Sequence, residues 1–218
     1  MGRSFCENCK KDLKWGELIP IFSFIFLRGK CSSCKKKVGL FNFVSELLLA
    51  LFFLFFYLLG APVQIFVFLI ILYFFAVYDF HYRSIPKNIT DVVLILSFFY
   101  WLFLLILDYS FDLVYPILVL TLLSIMILLF SRKKSLFGLG DILVLLILAF
   151  WFEAELFFPV LFLSFVLGGI FSLFLVIRDR SYLKKYIPFI PFIFLGFVFA
   201  CLSYYSSFIT FDYIFLMW

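Results

Sequence analysis

The feature that most constrains this chain is a series of long apolar runs, nearly free of charge and separated by short polar breaks. Such runs read as transmembrane helices, because the hydrocarbon core of a bilayer is about 30 Å thick and a helix rises about 1.5 Å per residue. Seven runs qualify: Asn42–Leu59, Pro62–Tyr78, Ile89–Leu107, Leu113–Phe130, Gly138–Phe152, Leu156–Ile177 and Ile187–Tyr205. Helix is the economical conformation for each, since it satisfies its own backbone hydrogen bonds in lipid. A water-soluble domain of 218 residues could not hide a composition that is 67% hydrophobic. The expected fold is an all-α multi-pass membrane protein of about seven transmembrane helices. The tail Phe208–Trp218 is too short to span and is expected at the interface.

Lysine and arginine fix the expected orientation. With the N-terminus inside, the inner segments are residues 1–41, 79–88, 131–137 and 178–186. They hold nine, two, three and four basic residues, which is all 18 in the chain. The outer loops and the tail carry Asp108, Asp112, Glu153, Glu155 and Asp212 instead. This segregation is the positive-inside pattern of a cytoplasmic membrane protein, with N-terminus in and C-terminus out. It also accounts for the net charge of +5 without nucleic acid as a partner. Anionic lipid headgroups suffice.

Residues 1–41 differ from the rest: polar, Lys-rich and carrying four of the five cysteines. They read as a small cytosolic head in front of a membrane domain, 42–218. No apolar stretch of the signal-peptide kind follows Met1 before Cys6. Cys6-x-x-Cys9 and Cys31-x-x-Cys34 form two knuckles separated by 21 residues, just beyond the usual spacing of a four-Cys zinc site. In a reducing cytosol disulfides are disfavoured, and a head this small needs a staple. Structural zinc on Cys6, Cys9, Cys31 and Cys34 is the expectation, ahead of a thioredoxin-like redox pair or an unmetallated remnant. Four thiolates leave the metal no open position for chemistry. Cys201, inside the last run, is expected to be a small packing residue.

Ionisable groups inside a span are costly, so each needs a reason. Glu46, Asp79, Asp91 and Asp141 qualify. Asp79 closes the second run and Asp141 opens the fifth, in Gly138-Leu-Gly-Asp141. The topology puts both at the cytoplasmic boundary, so two carboxylates 62 residues apart in sequence can meet. The two glycines permit a tight turn or a close approach of another segment. Only eleven apolar residues follow Asp141, so its helix must begin before that residue and draw the carboxylate inside the membrane edge. A dyad sharing one proton suits peptide hydrolysis: one carboxylate takes a proton from water while its partner protonates the developing tetrahedral oxygen. The competing expectation is that each Asp merely caps a helix or pairs with a lysine. Asp91, at a helix start, fits that description. Glu46 either does the same or lines a substrate cleft. His81 lacks a partner histidine and is expected in an interfacial loop.

With both motifs placed, the chain resembles the type IV prepilin peptidases, membrane enzymes of the GxGD aspartyl protease group. The head matches through Cys6-x-x-Cys9, Leu13-x-Trp15, Ile19-Pro20, Ser23 and Leu27-Arg28-Gly29-x-Cys31-x-x-Cys34, with Glu46 beyond. Asp79 is followed by Pro86 and Thr90; Gly138, Gly140 and Asp141 form the second motif; Ile187-Pro-Phe-Ile-Pro-Phe192 is similar to the family's Pro-Phe-Gly-Pro-Phe segment, with Ile190 in place of its glycine. The resemblance implies an endopeptidase that removes the basic leader of type IV prepilins and pilin-like precursors, with Asp79 and Asp141 as the catalytic pair and zinc in the head. Many members also methylate the new N-terminus with S-adenosylmethionine. Members usually carry a further span before the Cys domain, giving eight helices, whereas Met1 here lies close to Cys6.

Two readings from other classes compete. A non-catalytic, zinc-headed scaffold of a pilus or secretion assembly would tolerate loss of either Asp. A small transporter would place its acids near the bilayer midplane and show repeated or broken helices.

Overall fold

Apolar runs become helices close to their expected positions in a computed structural model that describes residues 5–6, 8–19, 22–107, 119, 138–184 and 187–215. The helices are α1 (Phe22–Phe26), α2 (Leu40–Leu58), α3 (Val63–Tyr82), α4 (Lys87–Leu107), α5 (Leu139–Trp151), α6 (Ala154–Arg178) and α7 (Ile190–Phe215). Short 3-10 turns cover Trp15–Glu17 and Arg180–Lys184. Apart from Val119, which is buried, the expected span Leu113–Phe130 and the basic loop after it lie outside the described residues.

By length and composition α3, α4 and α6 can cross a membrane, while α2, α5 and α7 contain shorter apolar stretches. Large hydrophobic side chains stand exposed along these helices, among them Leu54, Ile70, Phe74, Phe103, Phe162 and Phe174. Water would not tolerate that much exposed apolar surface; lipid does. The chain is an all-α multi-pass membrane protein.

Two boundaries differ from expectation. Helix α3 does not stop at Tyr78 but carries Asp79 and runs on to Tyr82, so His81 lies on its last turn and not in a loop. The His81 Nδ1–H donates to the Val77 carbonyl at 2.9 Å. The helix ends where Arg83 turns left-handed, φ 51°, and its N–H is spent on the Asp79 carbonyl at 2.8 Å. At the other end, α7 passes through Tyr205 to Phe215 as one helix. No glycine or proline between 206 and 215 interrupts it.

The chain divides into two compact units, Met1–Gly60 and Ala61–Trp218. Composition separates polar from apolar sequence after residue 41; packing places α2 with the head. The Phe24 ring of α1 stacks on Phe43 in the first turn of α2, with centroids 4.4 Å apart.

In the second unit, Ile65, Phe68, Leu69, Leu72 and Phe75 form the buried face of α3. The Phe68 ring meets Phe152 and Phe197 at 5.0 and 5.1 Å. Helices α6 and α7 approach closely because Gly196 has no side chain. A Cβ there would lie 2.8 Å from the Val160 carbonyl oxygen, which already accepts the Ser164 hydroxyl at 2.6 Å. Small residues at such crossings are the usual solution in lipid, where no hydrophobic force drives helices together. Helices α4 and α5 are joined by a polar contact, the Trp151 indole N–H donating to Ser97 Oγ at 2.8 Å. Cys201 is fully buried on α7, as a packing residue should be.

Candidate functional site

The head contains the same local structure twice. In the first knuckle the Cys6 N–H donates to Lys11 O and the Lys10 N–H to Cys6 O; in the second, Cys31 N–H donates to Lys36 O and Lys35 N–H to Cys31 O. Lys10 and Lys35 both adopt φ 58°. Antiparallel bridges, Phe5 to Asp12 and Lys30 to Lys37, close the two turns. Each turn presents two thiols on one side, and the two turns face each other. Cys6 Sγ lies 4.0 Å from Cys34 Sγ, Cys9 Sγ lies 3.9 Å from Cys31 Sγ, and all four sulfurs fall within 4.8 Å of one another. A tetrahedral zinc with Zn–S bonds of about 2.3 Å requires sulfurs about 3.8 Å apart. The donor set therefore fits a metal ion with little movement. The thiols are not equivalent. The Lys36 N–H and the Asn8 amide pull Cys34 down to about 6. At Cys9 the Lys11 N–H acts the same way but is outweighed by desolvation and the neighbouring thiols, leaving it at about 11. Four thiolates at this distance repel, and a bound cation is what would keep them all deprotonated.

In the second unit the two aspartates are buried, Asp79 at 1% and Asp141 at 3% exposure, and lie close enough to interact coulombically. Their meeting has a local cause at each helix end. Asp141 is the third residue of α5, and its Oδ2 accepts the N–H of the N-cap residue Gly138 at 3.2 Å. The competing expectation that Asp141 caps a helix is therefore realised, in addition to its nearness to Asp79. As expected from the short apolar run, α5 begins before Asp141, at Leu139. Gly140 faces the turn between α3 and α4: a Cβ on it would come 2.9 Å from the Ile85 side chain. A bare backbone at 140 thus lets the start of α5 approach the turn that follows Asp79.

Asp79 is held from a third helix. Its Oδ2 accepts the Ile190 N–H at 3.3 Å. Ile190 is the first residue of α7, so an otherwise unpartnered helix-terminal donor, and the positive end of the helix dipole, are turned on Asp79. Sequence reasoning noted the segment Ile187–Phe192 without giving it a role. Its signal was two prolines, Pro188 and Pro191, framing two residues at a helix start.

Other candidates fall elsewhere. Thr90 is fully buried, and both its hydroxyl and its N–H donate to the Pro86 carbonyl, at 3.1 and 3.0 Å. Pro86 and Thr90 thus close the first turn of α4. Asp91 is half-buried in that same turn of α4, and Glu46 half-buried on α2, in the other unit.

Family comparison frames both clusters. Residues 1–59, with all four head cysteines, match the bacterial peptidase A24 N-terminal domain, and residues 66–173, with both aspartates, match the type IV leader peptidase family. The chain belongs to the type IV leader peptidase family. A prepilin leader peptidase/N-methyltransferase of Bacillus subtilis is 37% identical over 91 residues, 40% of this chain and 37% of the relative. Another of the same name from Vibrio cholerae is 32% identical over 102 residues, 45% of this chain and 40% of the relative. A third, from Neisseria gonorrhoeae, is 38% identical over 50 residues, 23% of this chain and 18% of the relative. The matches thus cover less than half the length of these curated relatives. No solved structure matches.

Proposed function

We propose that this chain is an aspartic endopeptidase of the cytoplasmic (inner) membrane that removes the basic leader of type IV prepilins and pilin-like proteins at the cytoplasmic face, with its head in the cytosol and its C-terminus outside. The single observation that carries the mechanism is the burial of Asp79 and Asp141 together in one unit, each carboxylate anchored by a backbone N–H. Such anchoring fixes one oxygen of each group as an acceptor and orients the pair before substrate arrives. With one proton between them, the ionised carboxylate takes a proton from water as its oxygen attacks the scissile carbonyl carbon, and the protonated partner hydrogen-bonds the developing oxyanion. The C–N bond then breaks as the amine leaves with a proton from the dyad, and the shared proton is restored. Two close carboxylates titrate as a unit, so the pair carries the acid and base roles jointly.

Pro86, Thr90, Gly138 and Gly140 support the pair through helix starts and close approach, without contributing a reacting group. Glu46, on α2 in the first unit, is kept as one candidate acid for contact with the basic leader. Zinc on Cys6, Cys9, Cys31 and Cys34 would hold the two head turns together and supply structure alone. The relatives' names couple the peptidase to an N-methyltransferase. Mass analysis of the cleaved product's new N-terminus tests that second activity. Its donor would be S-adenosylmethionine, and no observation among the described residues assigns that donor a site.

The deciding experiment is cleavage of a co-expressed pilin precursor by wild type, Asp79→Asn and Asp141→Asn at matched membrane levels. Cleavage by wild type and its loss in both variants supports the dyad. Cleavage retained in either variant removes the mechanism and favours the scaffold.

A further inference from the structure

The head carries an apolar surface that the four-thiol cluster does not use. Residues 18–27, Leu-Ile-Pro-Ile-Phe-Ser-Phe-Ile-Phe-Leu, contain no charge, yet most of the described ones are exposed. Phe26 is 81% exposed, and Leu18, Ile19, Phe22 and Ile25 are also open; Trp15 just before them is 90% exposed. A small polar head in water gains nothing from presenting these side chains, so a partner has to cover them.

Three contacts within the first unit fix where this surface lies. The Phe24 ring points the other way and stacks on Phe43, one turn into α2. Gly29 makes room for that ring: its φ is +65° and a Cβ there would sit 2.8 Å from Phe24. The Val38 N–H donates to the Gly29 carbonyl at 2.8 Å, and Lys30 pairs with Lys37. The segment is therefore strapped to Lys37 and Val38, just ahead of α2, and to its first turn. Helix α2 has 19 residues with Glu46 as its single charge, about 28 Å of helix, the thickness of a bilayer core. A face held beside the first turn of such a helix lies at the depth where headgroups meet acyl chains.

The charges around the face complete the match. Lys14, Arg28, Lys30 and Lys37 are exposed and flank it. The nearby acid Glu17 is occupied by Lys11 at 3.5 Å and by the Lys14 N–H at 2.8 Å. Aromatic and aliphatic side chains bordered by cations are the composition of a segment that lies in the membrane surface. We infer that Trp15, Leu18, Ile19, Phe22, Ile25 and Phe26 form an interfacial anchor that inserts into the anionic phospholipid surface beside α2, holding the metal-binding turns flat on the membrane.

The test uses the full chain in vesicles of phosphatidylethanolamine and phosphatidylglycerol. The photoreactive substitutions are Phe22→p-benzoylphenylalanine and Phe26→p-benzoylphenylalanine, with Ser33→p-benzoylphenylalanine, an exposed position among the thiol turns, as the reference. After illumination, lipid adducts are expected at 22 and 26 at least about fivefold above those at 33, as expected if the anchor lies in the lipid interface. The excess should shrink in vesicles of phosphatidylcholine alone, because the flanking cations lose their partners. Crosslinks to protein, or lipid adducts at 22 and 26 no more frequent than at 33, overturn the anchor. An unchanged excess in phosphatidylcholine overturns its preference for anionic lipid.

Discussion

The thiol cluster and the carboxylate pair are both polar sites assembled from distant positions, but their parts are held in different ways. Each pair of cysteines is carried by one short turn with its own hydrogen bonds, and the two turns are built alike. Bringing the sites together requires only that two prefabricated halves meet. The aspartates have no such local half. Asp79 depends on the end of α3 and the start of α7; Asp141 depends on the start of α5 and on Gly140 lying against Ile85. The head is thus modular and built around a donor set that fits a metal ion, whereas the carboxylate pair depends on the packing of the second unit. Damage to one should leave the other largely intact.

The largest effect expected is on the dyad. Asp79→Asn or Asp141→Asn should each lower precursor cleavage by at least about a hundredfold, the ordinary worth of a general acid or base. Zinc content of the purified protein should stay at one per chain. Loss of zinc in either variant, read by atomic absorption, would break the separation of the two regions. The reciprocal change is Cys34→Ser, or exhaustive chelation of wild type. Metal content should fall to near zero, and the head should become sensitive to limited proteolysis, because structural zinc contributes folding free energy directly. The fragment containing α3 to α7 should survive that digestion.

A smaller effect is expected where α7 meets Asp79. Ile190→Pro removes the N–H donor at a first helical position, where proline is otherwise accepted. A hydrogen bond to a carboxylate is worth about 1.5–3 kcal/mol, so kcat should drop by about tenfold or more with KM little changed. Ile190→Val keeps the N–H and should stay close to wild type. Equal losses in both variants would assign Ile190 to packing alone. Smaller again are the glycine contacts. Gly196→Ala forces a Cβ against the Val160 backbone and should cost about 1–3 kcal/mol of stability, read as a lower Tm with cleavage per folded molecule unchanged. Gly140→Ala meets only the Ile85 side chain, which can move. Its stability cost should be smaller, and Ile85→Ala in the same chain should relieve it.

Much of this architecture was legible in the sequence because lipid simplifies it. An apolar run of about 20 residues has no folded alternative to a helix, so α2 to α6 fall close to their expected ends. The cysteines were equally plain, since a CxxC turn brings its two ligands together locally. Boundaries decided by a single backbone choice were not legible. The left-handed turn at Arg83 lets α3 carry Asp79 inward and puts His81 on a helix, and an uninterrupted polar-apolar stretch carries α7 to Phe215. The role of the Pro188–Pro191 segment was also hidden, because what it offers Asp79 is the backbone N–H of Ile190, which no residue type announces.

By itself, then, the sequence determined that the chain lives in a membrane, where its helices run, which four thiols can share a metal and which two acids stand at helix ends. Only the tertiary structure decided that Asp79 is gripped by the first N–H of α7, that Gly140 owes its size to Ile85, and that Phe24 straps an exposed apolar face beside α2. The physical reason is the reach of the interactions. Solvent preference and turn geometry act on neighbouring residues and are written in local composition. The hydrogen bond from Ile190 to Asp79 spans 111 positions of sequence and exists only once the helices have packed.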